Sequence, residues 1–369
     1  MHIIIDFFIT SMYNNNKTHR ILVFGSHTMK KYLIPAAGTF YKANLHCHST
    51  VSDGSLTPQE IKDEYLSRGY SVVAYTDHEI MINHHDLTDD SFLALSGYEM
   101  SIETDDIEWG RPGHRVCHIC FIAMNPSVTH QVCWDEKIRS WFNDPEIREQ
   151  IKYTGDPHYK RVYSGEGISE VMQTGRANGF FVTYNHPNWS QEFAEQYLGY
   201  HGMHAMEICN YGCITEGYDD YNPRAYDEIL QGGERIFCIA TDDNHNHHPK
   251  NSRRWDSGGG FTMIKAEKLE YESITQALLD GHFYASQGPL IDELWYEAGA
   301  VHINCSPADK IQITYGFRHN DIVWDETGEG ITHAKFAIDD ADSYFRITVT
   351  DKSEKHADTN AYYIKEIMK

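Results

Sequence analysis

The chain has 369 residues, enough for one large domain and a smaller one at the usual ~150 residues per domain. Its 31 Lys and Arg stand against 54 Asp and Glu, a formal charge of -23 that repels a nucleic-acid backbone and argues against a long polyanion as partner. No apolar run approaches the ~20 residues of a membrane span, and eight cysteines without disulfide-framework spacing point to a reducing, cytoplasmic compartment.

The opening M-H-I-I-I-D-F-F-I lacks a basic leading region and carries Asp6 inside its apolar run, so a signal peptide fits it poorly. Residues 1–40 read as a leader, with Met29 as a natural start that would make the residues before it non-native. From Tyr41 to residue 290, β-rich runs alternate with helical stretches, the pattern of a parallel sheet with crossover helices. The predicted strands are 42–46, 71–75, 93–98, 116–122, 180–185, 204–208 and 236–240. Thr57-Pro58-Gln59-Glu60 opens a helix with a capping threonine, proline in the first turn and acidic residues after it. Residues 134–178, with Pro145 and Pro157, predict a helical insertion, either a cover over a site or a plain excursion. After Gly288-Pro289 the texture changes to alternating strands at 294–296, 301–304, 311–315, 334–338, 344–350 and 361–364, a small β domain over 291–369. It either packs over the preceding domain or mediates oligomerisation, and its Trp295, Tyr296, Tyr315, Phe317 and Trp324 are predicted core.

Twenty-three histidines are many for this length, and histidine is the commonest metal ligand near neutral pH. His84, His85, His247 and His248 read as surface residues. Others fall at strand ends. In N-L-H-C-H-S-T-V-S-D-G, His46 and His48 share one face of an extended strand and can share a metal, with Asp53 close behind. T-D-H places His78 at the end of V-V-A-Y, and G-Y-E places Glu99 after L-A-L-S, where a carboxylate can bridge two cations. His118 lies inside the apolar V-C-H-I-C-F-I-A, whose Cys117 and Cys120 point to opposite faces, which argues against chelation by that pair. N-H-P supplies His186 and D-D-N-H supplies Asp243 and His245. Each has a bland structural explanation alone; together, at successive strand ends, they favour a polynuclear metal site.

This ordered set resembles the motifs of the polymerase-and-histidinol-phosphatase (PHP) family of metal-dependent hydrolases, over Tyr41 to about Pro289. The resemblance implies a distorted seven-stranded (β/α) barrel, two or three divalent ions of manganese, iron or zinc, and phosphoester hydrolysis. It implies that His46, His48, Glu99 and Asp243 bind one metal, that Glu99 bridges to a second held by His118 and His186, and that Asp53, His78 and His245 hold a third. Asp242 would stand behind Asp243. A closer likeness is to the stand-alone branch that includes a carbamate hydrolase and ends in a β domain. There M-E-I-C-N puts Glu207 near the site, and Glu207 is expected in the pocket.

The expected activity is hydrolysis of a small phosphorylated substrate by a metal-activated hydroxide, and no G-x-S-x-G nucleophile elbow is present. Arg253 and Arg254 are the candidates for gripping phosphate, followed by Lys160 and Arg161. The alternatives are carbamate or ester cleavage, or a non-catalytic metal-stabilised binding module.

Overall fold

The computed structural model describes residues 30–105, 107–137, 144–340 and 342–369. Most of the expected leader, residues 1–29, lies outside the described residues. Strands β1 to β10 span Lys31–Tyr32, Thr39–Asn44, Val72–Tyr75, Leu93–Glu103, Val116–Ala123, Phe180–Tyr184, Ala205–Asn210, Phe237–Thr241, Phe261–Ala266 and Phe283–Ser286. Strands β11 to β18 span Ile291–Glu297, Ala300–Ala308, Lys310–Tyr315, Asn320–Trp324, Ile331–Ala337, Tyr344–Thr350, His356–Thr359 and Tyr362–Tyr363. The mixed α/β architecture centres on one large sheet, in which β2 through β8 are consecutive neighbours.

The apolar runs explain the inner strands. V-V-A-Y of β3 and V-C-H-I-C-F-I-A of β5 are buried at every position, as strands covered on both faces must be. The covering helices carry the complementary stripe: Ile61 and Tyr65 are buried on the helix Pro58–Ser67, and Ile168, Val171 and Met172 on Gly165–Ala177. The first helix opens on a capping box, the Thr57 side chain accepting from Glu60 N and the Glu60 carboxylate from Thr57 N.

Two features of the expected barrel differ. β5 runs antiparallel to both β4 and β6, whereas the β2–β3–β4 and β6–β7–β8 pairings are parallel. Nor does a ladder between β8 and β2 close the ring among the described residues. The reason is β9, which pairs antiparallel with the second edge of β2 from Thr39 to Ala43. Below the rim the Thr262 hydroxyl of β9 bonds the backbone of Ala240 in place of a ladder partner. Only past the end of β2 do the edges meet, where His48 N donates to Asn244 O (3.1 Å) and Asp243 N to His46 O (3.0 Å). These contacts therefore fall at the H-x-H and D-D-N-H motifs themselves.

The C-terminal strands form an antiparallel β1–β11–β12–β15 sheet facing β14–β13–β16–β17, with Leu294, Val301, Ile303, Ile313, Phe336 and Ile347 packed in one cluster. Their sheet is continuous with the main one, because β10 pairs β17 from Tyr284↔Thr359 to Ser286↔Ala357. Lys31 and Tyr32, counted with the leader in the sequence reading, pair with Tyr296 and Trp295. Of the aromatics expected in this core, Trp295 and Tyr315 are buried and Tyr296 is half-buried. Phe317, 72% exposed in the β13–β14 turn, and Trp324, 52% exposed on the edge strand β14, are not core residues. Within 134–178, Gly165–Ala177 is a helix packed against β5 and β6, close enough that a Cβ on Gly175 would meet the Phe121 ring at 2.3 Å. Residues 138–143 of that segment lie outside the described residues. Among the described residues no helix is long and apolar enough to cross a membrane.

Candidate metal centre

At the rim the nine side chains singled out in the sequence converge. Glu99, on the continuation of β4 beyond its pairing with β3, is the hub. Its Oε1 lies 3.2 Å from His46 Nε2, 3.2 Å from His118 Nδ1 and 3.1 Å from His186 Nε2. Its Oε2 lies 3.0 Å from His78 Nδ1 and 3.4 Å from His48 Nε2. Asp243 Oδ1 faces His48 Nε2 at 3.0 Å and His46 Nε2 at 3.2 Å. Asp53 stands further out, 3.5 Å from His245 Nε2 and 3.8 Å from both His48 Nδ1 and His78 Nε2. Two ligand positions adopt backbone angles that non-glycine residues avoid, φ +26° at His186 and +50° at Asp243. Such strain persists where surrounding structure enforces it.

The donor set fits divalent cations. Ligand atoms of His46, His48, Glu99 and Asp243 lie within 4.8 Å of one another, as do those of His48, Asp53, His78 and His245, and of His78, Glu99 and His118. Glu99 Oε2, Asp243 Oδ1, His48 Nδ1 and His186 Nδ1 are buried without a hydrogen bond. A buried polar atom left so costs ~1–3 kcal/mol unless something satisfies it. Charge argues the same way. Burial opposes ionisation of Glu99 and Asp243, yet the imidazoles around them hold both carboxyls well below the usual range. Burial would lower His48, but the carboxylates of Asp243 (3.0 Å) and Glu99 (3.4 Å) facing its Nε2 push it up to about 10. Burial, with the His48 charge, drives His245 down to about 4, and burial also lowers His118, so both present a free lone pair at neutral pH. The acids thus seek positive charge, which protonated His48 can supply and a cation can replace.

Four further carboxylates organise the ligands. Glu207 was expected in the pocket, and a fourth grouping joins it to His46 and His186. Its oxygens are already filled: Oε1 takes His46 Nδ1 (2.7 Å) and Thr241 Oγ1 (2.7 Å), and Oε2 takes His186 N (2.8 Å) and Asn210 Nδ2 (2.8 Å). It lies behind His46, is not among the residues lining the cavity, and fixes the ring. Asp242 accepts from the backbone N–H groups of Gly258, Gly259 and Gly260 and from Tyr65 Oη, and burial pushes its pKa up to about 6. This explains the G-G-G run: a Cβ on Gly259 would sit 2.2 Å from the Tyr211 ring and one on Gly260 2.3 Å from Thr241 O. Asp77 of T-D-H accepts from the backbone and hydroxyl groups of Ser49 and Ser52, pinning the loop that carries Asp53. Asp256 accepts from His245 N and Asn246 N.

The cluster floors a cavity of about 650 Å³. Its walls include Trp109, Trp189, Glu103, Thr215 and Glu216, which sequence reasoning missed; only Trp189, three residues after His186, stood near a motif. His247 and His248, read as surface residues, line it too, His247 Nε2 lying 2.7 Å from Asp53 O. His84 and His85 are half-buried rather than exposed. No described residue of 134–178 lines the cavity, so no cover is built from there among the described residues. Arg253 and Arg254 are exposed and outside it; the Arg254 guanidinium is spent on Thr215 O at 2.6 and 3.0 Å. Lys160 pairs with Asp105 at the surface, and Arg161 is buried on Glu79, Ser101 O and Cys133 O. Among the described residues no Lys or Arg lines the cavity. All eight cysteines are free and buried; Cys120 Sγ accepts from Asn185 Nδ2, which also bonds Glu99.

No protein-family model matches the chain. A curated relative is the 5'-3' exoribonuclease of Haemophilus influenzae, 25% identical over 161 residues. That match takes 43% of this chain and 57% of the relative, so the chain spans little more than half the relative's length. Among solved structures, the chain is similar to a two-domain protein of Bacteroides vulgatus containing a predicted PHP-like metal-dependent phosphoesterase, at TM-score 0.41 and 16% identity over 92% of this chain and 99% of the other. A protein of Bifidobacterium adolescentis named as a metal-dependent phosphoesterase gives TM-score 0.37 and 15% identity over 59% and 91% of the two chains. An amidohydrolase of Chromobacterium violaceum with bound sulfate and no metal gives 0.36 and 16% over 55% and 87%.

Proposed function

We propose that this chain is a metal-dependent hydrolase, and within that class a phosphoesterase acting on a small phosphorylated substrate. The observation that carries it is Glu99, one buried carboxylate with five imidazole nitrogens within 3.4 Å at the floor of an open cavity. His46, His48, Glu99 and Asp243 would hold one ion, Glu99 with His118 and His186 a second, and Asp53, His78 and His245 a third. Such ions, of manganese, iron or zinc, would supply a water of lowered pKa and positive charge for the oxygens of the group attacked. Glu207 keeps His46 Nε2 aimed at the cluster, and Asp77 and Asp256 hold the loops of Asp53 and His245 in register with it. The carboxylates Glu103 and Glu216 on the walls oppose a long polynucleotide, so the substrate is a small molecule.

The test pairs metal content, by plasma mass spectrometry on protein purified without chelator, with p-nitrophenyl phosphate hydrolysis before and after EDTA and on return of manganese or zinc. Two or three metals with chelator-sensitive turnover support the proposal. A protein that binds no metal under any condition overturns it. A carbamate or carboxylic ester is the second substrate class, favoured by the lack of Lys and Arg among the described lining residues. Metal with no phosphatase activity but aryl carbamate turnover would select it. An intact metal site with no turnover of either class would favour the non-catalytic binding module.

A further inference from the structure

The cavity wall nearest the cluster is aromatic. The Trp189 ring centroid lies 5.1 Å from that of His118 and 5.2 Å from that of His186. Trp109 continues the wall outward, 5.9 Å from Trp189 at an interplanar angle of 43°. Trp109 also leans on His114 at 4.8 Å, and the His114 ring is tied to Glu103 at 3.1 Å. At 5.9 Å the two indoles leave no room for a ring between them, so they form one bent surface running from the floor to the mouth. Trp109 is nevertheless 57% exposed, a large apolar face held open beside a reactive centre. Acidic Glu103 and Glu216 share the walls, and among the described residues no cationic side chain lines them. A second charged phosphate or carboxylate on the substrate would find no partner there. A flat uncharged group would find stacking area.

We infer that Trp189 and Trp109 form the leaving-group subsite, and that the substrate is an ester of a planar aromatic, otherwise uncharged alcohol. The inference rests on the hydrolase assignment above and deepens it. The attacked group sits over Glu99, and the part that departs lies along the indoles. In the reaction, water oxygen bonds to the phosphorus, the bond from phosphorus to the substrate's bridging oxygen breaks, and that oxygen leaves with a proton as the aromatic alcohol. The tryptophans are specificity residues. They offer dispersion and quadrupole contacts to a ring and nothing comparable to a saturated chain.

The test compares naphthylmethyl phosphate with decahydronaphthylmethyl phosphate, which has the same carbon skeleton and an alkoxide that is a similarly poor leaving group, so ring stacking and neither size nor bond reactivity separates them. The expected result is a kcat/KM higher by about tenfold or more for the naphthylmethyl ester, carried mainly in KM. Trp189→Ala and Trp109→Ala should bring the ratio toward one, and Trp189→Phe should restore part of it. Metal content is measured in every variant, because Trp189 also leans on His118 and His186. A second readout needs no turnover: naphthylmethylphosphonate binding to the metal-loaded protein, followed by quenching of tryptophan fluorescence, against decahydronaphthylmethylphosphonate. Failure of both esters to turn over, with the aromatic phosphonate still preferred, would remove the phosphoesterase assignment and keep the subsite. Equal kinetics and equal binding of the two series overturn the subsite. So does tighter binding of a trimethylammonioethyl phosphonate, which would make the wall a site for a cation.

Discussion

Glu207 Oε1 lies 2.7 Å from His46 Nδ1, and both oxygens of that carboxylate are filled by four donors from His46, Thr241, His186 and Asn210. Glu207 therefore fixes the His46 ring at the proposed metal site. Glu207→Gln keeps the shape but turns an NH2 toward groups that donate. The expected outcome is a ten- to hundredfold loss of metal affinity, a typical cost of losing such a partner, measured by competition with a chromogenic chelator. KM in saturating metal should be nearly unchanged. Affinity equal to wild type would show that His46 needs no such support.

Glu99 is the residue whose loss should do most harm. Five imidazole nitrogens face its two oxygens, so Glu99→Ala removes the charge that balances them and the oxygens that join the first two proposed ion positions. Glu99→Ala and His48→Ala should each bind at least one metal fewer and lose more than about 99% of turnover, while circular dichroism stays that of the folded chain. Normal metal and normal turnover in both variants would sink the assignment of the site.

The candidate ligands were legible because they follow or lie within apolar strands that announce themselves in sequence: V-V-A-Y before His78, F-F-V-T-Y before His186, F-C-I-A-T before Asp243, and V-C-H-I-C-F-I-A around His118. The strand placement was legible for the same reason. What the sequence concealed depends on contacts between distant segments. The direction of β5 is invisible, because parallel and antiparallel buried strands share the same apolar texture. Antiparallel β9 went unassigned as a strand, and with it the reason the ring does not ladder shut. Trp109 meets Trp189 across 80 positions, and Arg253 and Arg254 were favoured only for lying near His245 in the chain. The loop that carries them turns Arg254 onto Thr215 O.

Acid should destabilise the fold through His204, which lies away from the metal centre in the strand-start contact between β6 and β7. Val182 N donates to its Nδ1 at 3.0 Å, and its ring stacks on Phe181 at 4.8 Å. Burial, helped by the Arg176 charge, lowers its pKa from the ordinary 6.5 to about 4. Between those values the unfolded chain binds the proton and the folded chain does not, so stability rises with pH across the window. It is fully present above about 6.5 and lost as pH falls toward 4. His204→Asn can keep an acceptor for Val182 N without a titrating ring. Its urea midpoint should fall less than that of wild type between pH 6.5 and 4.5, and parallel pH curves would exclude this histidine as a source of the acid sensitivity.

The β unit beyond Pro289 bears on the cavity through the wall it supports. Arg346 of β16 grips Asp227 with two bonds of 2.7 and 2.9 Å and Asp358 of β17 at 3.0 Å; Asp358 in turn accepts from Tyr221 Oη, and the Tyr221 ring stacks on His356 at 4.3 Å. Gln287 Nε2 adds a bond to Asp220. Residues 211–222 are thus fastened to the β unit at one end while Gly212, Cys213, Thr215 and Glu216 line the cavity at the other. Arg346→Met leaves the buried Asp358 and the Asp227 carboxylate without their cation, and should cost about 3–5 kcal/mol in a single unfolding transition, because β10 and β17 join both units in one sheet. Tyr221→Leu is milder and more telling: with the wall loosened, KM should rise several-fold while kcat and metal content hold. If instead kcat falls and KM holds, the segment acts on the chemical step and not on substrate placement.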